Sequence, residues 1–70
     1  MMKTALKEEA KNYAKTQSLN KDYKDVPVYI IHCSRTKLFY VDTDSLIRLW
    51  EQLMGYYING VFTNEEHYLE

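Results

Sequence analysis

DSLIRLWEQLMGYYI, residues 44 to 58, is the most regularly patterned run in this 70-residue chain. Leu46, Ile47, Trp50, Leu53, Met54 and Tyr57 recur at intervals of three and four, the spacing that gathers side chains on one stripe of an α-helix. Arg48, Glu51 and Gln52 fall on the opposite side. Thr43 is placed to accept from the first free amides, and Asp44 sets a negative charge against the positive end of a helix dipole. The spacing therefore predicts a core helix over 44–58 that carries the only tryptophan and takes the centre of one small core. Gly55 is tolerable inside it, since glycine costs about 1 kcal/mol relative to alanine in a helix interior. Asn59–Gly60 then reads as its left-handed cap. A competing reading stops the helix at Gly55 and makes Tyr56–Ile58 and Val61–Thr63 a mini-hairpin around the Asn-Gly turn; the longer helix is preferred.

Working back from that run, Val26–Cys33 (VPVYIIHC) and Leu38–Asp42 (LFYVD) are rich in β-branched and aromatic residues and read as strands. Ser34–Lys37 (SRTK) is the turn between them, so 26–42 is expected to be an antiparallel β-hairpin. With the turn centred on Arg35–Thr36, facing residues have numbers that sum to 71. One face then holds Val28, Ile30, His32, Phe39 and Val41, and the other Tyr29, Ile31, Cys33, Leu38 and Tyr40. The first is the better core and should receive the Trp50 helix. Neither face is polar enough to be left in water, so the second needs its own cover, either the first helix or another molecule.

Residues 1–16 read as an Ala- and Lys-rich helix with a thin apolar stripe of Met2, Leu6, Ala10, Tyr13 and Ala14. Such a helix is expected on the outside, formed by propensity and loosely held. Gln17–Asp25 is a polar connection anchored by Leu19 and Tyr23. Thr63–Asn64–Glu65–Glu66 has capping-box spacing, which suggests a last short helix over Asn64–Leu69. The expected architecture is one α+β domain over 1–70, in the order α–β–β–α, with the hairpin packed on the 44–58 helix.

A chain of this length buries only about 60% of the surface its unfolded form exposes, and such cores commonly draw on a disulfide, a metal or a partner. Cys33 is the single cysteine, which excludes an intrachain disulfide and suits a reducing, cytoplasmic setting. No run approaches the roughly 20 apolar residues of a membrane span, and the start of the chain lacks the pattern of a signal peptide. The formal net charge is −1, yet it is split. Residues 1–41 carry +4 and residues 42–70 carry −5, a polarity that suits pairing with a second copy as well as it suits a basic face.

Chemistry-bearing patterns are sparse. His32 and Cys33 are neighbours on a strand and point to opposite faces, and His67 lies far along the chain, so no CxxC or HxxxH spacing supports a metal site. Asp42 and Asp44 are explained by capping. The two glycines stand apart, which rules out a phosphate-cradling loop, and there is no GxSxG element. A domain this small has little room for a pocket of several hundred cubic ångströms. No enzyme, no cofactor and no small-molecule substrate are expected.

Two surfaces remain. Lys3, Lys7, Lys11 and Lys15 recur every four residues, and on a helix they would form a slanting basic ribbon. Together with Arg35 and Lys37 this ribbon is the candidate nucleic-acid contact, although base-reading Arg, Asn and Gln are few. The stronger signal is seven tyrosines, more hydroxyls than a small core can satisfy, and tyrosine is favoured at interfaces. Tyr29, Ile31, Leu38 and Tyr40 on the second hairpin face, with Tyr56, are the candidate partner-binding residues. The expectation is a non-enzymatic protein-binding module, a small bacterial or phage regulator or inhibitor that engages a protein partner or forms a homodimer.

Overall fold

The computed structural model of the chain describes residues 2–44 and 46–64. In chain order its elements are β1 (Met2–Thr4), α1 (Lys7–Ser18), a 3-10 turn over Lys21–Tyr23, β2 (Val28–Cys33), β3 (Leu38–Asp42), β4 (Glu51–Ile58) and β5 (Val61–Asn64). The strands make one five-stranded antiparallel sheet in the order β1-β3-β2-β4-β5. The α+β class therefore holds. The α–β–β–α order does not, because one strand precedes α1 and two follow the hairpin.

The hairpin forms where its residues place it. Tyr29 faces Asp42, Ile31 faces Tyr40 and Cys33 faces Leu38, the register that a turn over Ser34–Lys37 dictates. The Lys37 amide closes the turn on the Cys33 carbonyl at 2.9 Å. β2 is the central strand, and Val28 and Ile30 on it are buried together with Val41 of β3.

What packs on that face is α1 and not the 44–58 run. Ala10, Ala14 and Ser18 lie one turn apart along α1 and are all buried. Their small side chains let the helix backbone approach the sheet closely, and Ala10 and Ala14 join Val28, Ile30, Val41 and Tyr57 in one core cluster. Hence the helix expected to be peripheral supplies the only helical cover of the sheet among the described residues. The narrow stripe that suggested loose attachment is a close-packing surface. Met2 is not helical; it sits on β1 and packs at the margin of the same core. Leu6 is the residue before the helix and is exposed.

The expected core helix over 44–58 is replaced by an irregular segment and by β4. Residues 43, 44 and 46–50 form no helix. The Asp42 carboxylate accepts from the Thr43 amide at 2.7 Å, and the Asp44 carboxylate from the Leu46 amide at 2.9 Å. From Glu51 the chain is extended and pairs with β2 on one side and β5 on the other. Asn59 and Gly60 have φ of 51° and 83°, the left-handed pair of a type I′ hairpin turn. The mini-hairpin reading thus foresaw the second turn, and the helix cap did not form.

A β-bulge accounts for the Met54–Tyr57 step of the misleading periodicity. The register of β2 against β4 shifts between Ile30 and Ile31, so that Tyr29 faces Tyr56 but Ile31 faces Leu53. The extra residue places Leu53 and Tyr56, three apart, on one face of the sheet. By the same step Met54 and Tyr57 both meet the core under α1. A three-residue spacing that signals a helix in straight arithmetic is here the mark of a bulged strand.

The connection between α1 and β2 is fastened to the second turn. The Ser18 hydroxyl donates to the Lys15 carbonyl at 2.8 Å and accepts from the Gly60 amide at 2.9 Å. Asn59 accepts from the Asp25 amide at 3.0 Å and donates to the Asp25 carboxylate at 2.7 Å. The short helix suggested for Asn64–Leu69 lies outside the described residues, apart from Asn64, which ends β5.

Candidate functional site

Because α1 lies on one side of the sheet, the other side is built from every second residue of the strands. The paired registers place Leu38 and Tyr40 of β3, Tyr29, Ile31 and Cys33 of β2, and Leu53 and Tyr56 of β4 on that side. All five residues picked as partner-binding, Tyr29, Ile31, Leu38, Tyr40 and Tyr56, therefore share one face. Tyr56 arrives there through the bulge rather than on a helix. The Tyr29 and Tyr56 rings pack at 5.5 Å between centroids and 58° between planes.

The cover expected from α1 or from another molecule is supplied in part by the chain itself. Ile31 and Cys33 are 5% and 3% exposed, and both line a cleft together with Asp44, Leu46, Ile47 and Arg48 of the segment after β3. Tyr29, Leu38 and Tyr40 stay half-buried. Between the segment and the hairpin turn is a surface cleft of about 580 Å³, whose lining includes Ile31, Tyr40, Trp50, Arg35 and Arg48. Size arguments expected no such cavity in so small a domain. It forms as a trough between a loop and a sheet, which needs no thick core.

Trp50 does not occupy the centre of the protein. It stands half-buried at the cleft, with the Arg35 guanidinium 3.7 Å from its ring centroid and that of Arg48 at 5.9 Å. Cation–ring contacts of this kind hold a planar cation in place. The Trp50 carbonyl accepts from both the amide and the hydroxyl of Ser34, at 2.9 and 2.8 Å, tying the segment to the hairpin turn. The carboxylates of the cleft serve the backbone: Asp42 and Asp44 as above, and Glu51 by accepting from the Arg48 amide at 2.8 Å. Beside them the segment leaves Leu46 83% exposed and Leu49 wholly so. None of this was read from the sequence, because the helical periodicity had assigned Trp50 and Leu46 to a core.

Cys33 lies under the cleft beside the turn. Hydrogen bonds from the Thr36 hydroxyl, then from the Thr36 and Arg35 amides, hold its thiol below the ordinary value, against the opposing effects of burial and Glu51. His32 is on the other face, its ring centroid 4.6 Å from that of Phe39 with the planes tilted by 39°. Among the described residues no three His, Cys, Asp or Glu side chains converge as metal ligands.

The six basic candidates do not make one surface. Lys3 is on β1 opposite Tyr40, and so belongs to the tyrosine side of the sheet. Lys7, Lys11 and Lys15 are on α1 across the sheet. Arg35 is stacked on Trp50, and Lys37 holds the turn with φ of 62°. Among the described residues, no helix is long and apolar enough to cross a membrane. No family model, no curated protein and no solved structure matches this chain.

Proposed function

We propose that this chain is a non-enzymatic protein-binding module, a small regulator or inhibitor working in a reducing cytoplasm, whose docking surface is the sheet side away from α1. The observation that carries the reading is the continuity of the Tyr29, Tyr40 and Tyr56 face with the cleft at Trp50. Tyrosine, tryptophan and arginine are the residues that dominate binding energy at protein interfaces, because they combine large apolar area with fixed polar tips. Here Tyr40, Trp50, Arg35 and Arg48 line one cleft, and the exposed Leu46 lines it too. Apolar area of this kind in a small protein favours an interaction site over solvent.

The partner is a protein that inserts a side chain into the cleft beside Trp50 and lies along the tyrosines. Tyr40→Glu and Trp50→Ala should each leave the fold intact, since both residues are only half-buried, and each should weaken partner capture by tenfold or more, as expected for an interface anchor. Affinity capture on immobilised wild type and on the two variants, with light scattering of the free chain, checks this. A protein retained by wild type and lost from both variants supports the reading. Equal capture by all three chains, or a wild-type monomer that retains nothing, would overturn it.

The dispersal of the basic residues favours this reading over nucleic-acid binding. Phosphate contacts need cations along one continuous track, and Lys3 stands on the opposite side of the sheet from Lys7, Lys11 and Lys15.

A further inference from the structure

α1 does not cover the whole of its side of the sheet. It packs over β1, β2, β3 and β4, and at the β4–β5 margin it leaves a groove of about 250 Å³ lined by Lys7, Lys11, Ile30, Met54 and Phe62. The floor and far wall are apolar. The near wall is one turn of helix bearing two ammonium groups. Among the described residues no carboxylate lines the groove. The Lys11 ammonium lies 5.5 Å from the centroid of the Phe62 ring, which fixes a positive charge at the apolar mouth. Phe62 is itself 39% exposed, although its ring also packs on Tyr57 at 5.1 Å.

From this placement we infer that the groove is a second interaction site, taking an acidic peptide segment of a partner protein: one apolar side chain enters against Met54 and Phe62, and a neighbouring carboxylate lies on Lys7 and Lys11. Size and charge select this occupant. The volume is below the roughly 300–1,000 Å³ of small-molecule sites but suits a single leucine or phenylalanine side chain. Two cations with no carboxylate among the described lining residues favour an anionic occupant, and an ammonium beside an apolar wall is less screened than one in open water. A nucleic-acid strand fits less well. Lys15, the next cation on α1, does not line the groove, and the Phe62 ring on which a base would stack has the Lys11 ammonium beside it.

The site is separate from the tyrosine face, so the two readings stand or fall independently. The test is an amide-shift titration of the isotopically labelled full chain. Its probes are an acetylated, amidated hexapeptide of sequence Glu-Asp-Leu-Phe-Asp-Glu, the same peptide with lysine at the four acidic positions, and decathymidine. The acidic peptide should shift Lys7, Lys11, Met54 and Phe62 and leave Tyr29 and Tyr40 in place. The double variant Lys7→Glu/Lys11→Glu should weaken it at least about tenfold, the size expected for two partly screened charge contacts. Both lysines are outside the buried core, and an unchanged thermal midpoint verifies that the variant folds. No shift at millimolar acidic peptide, equal shifts from the lysine peptide, or tighter binding of decathymidine to the same residues would each overturn the inference.

Discussion

Gly55 is where β4 changes step, and the residue has no substitute there. Its φ is +154°, and a Cβ on it would lie 2.6 Å from the Thr63 carbonyl oxygen and 2.7 Å from the Phe62 ring. The backbone obstacle cannot swing aside as a side-chain tip can. Gly55→Ala should therefore cost about 2–4 kcal/mol, from combined steric crowding and backbone strain, measured by urea unfolding; an unchanged midpoint would show that β5 moves freely. Cys33 offers a pH test. Its proton leaves the folded chain at lower pH than the unfolded one, because Thr36 and the turn amides favour the thiolate. The resulting stabilisation is fully present above the ordinary thiol value and fades as pH falls through the lowered folded value. Thiolate absorbance should titrate below that of free cysteine, and Thr36→Val should move the midpoint up; coincident curves would remove the Thr36 contact from the account. Neither residue role was legible beforehand. A bulge glycine and a helix glycine look alike in a one-dimensional pattern, and the Thr36 hydroxyl reaches Cys33 only once the turn has closed.

Among the elements, α1 has an unused source of stability at its start. Leu6 holds the cap position with φ −103° and ψ 116° and gives no side-chain hydrogen bond to the first turn. Its carbonyl already accepts from the Ala10 amide at 3.1 Å, so the backbone is set for a capping residue. Leu6→Ser would place serine three residues before Glu9, the spacing of a capping box. About 1 kcal/mol of added stability is expected, seen as a rise of roughly 4–8 °C in the thermal midpoint for a domain of this size. A midpoint that stays or falls would mean that the Thr4 hydroxyl, which accepts from the Leu6 amide at 3.1 Å, already serves the same end. The hairpin is the element most fully readable from sequence, since β-branched strands flank a four-residue polar turn and one register follows. β4 is the least readable. Its bulge puts Met54 and Tyr57 on one face three residues apart, and the hydrogen bonds that make it a strand go to β2 and β5.

At the scale of the molecule, α1 faces one side of a sheet that is apolar on both. Ala10 and Ala14 admit α1 to the Val28–Ile30–Val41 face, and the Ser18–Gly60 and Asp25–Asn59 bonds lock the helix end to the β4–β5 turn. That choice leaves Tyr29, Tyr40, Tyr56, Trp50 and the exposed Leu46 together on the opposite side. The α+β class, the hairpin and its register, and the common face of Tyr29, Ile31, Leu38 and Tyr40 were all determined by the sequence by itself. Each rests on neighbours along the chain or on strict alternation across one turn. Which helix covers the sheet, and whether residues 51–58 are helix or strand, was decided only by the tertiary structure. Local spacing is compatible with either state. The balance is tipped by hydrogen bonds to β2 and β5, partners that lie far along the chain and that no short window of residues contains.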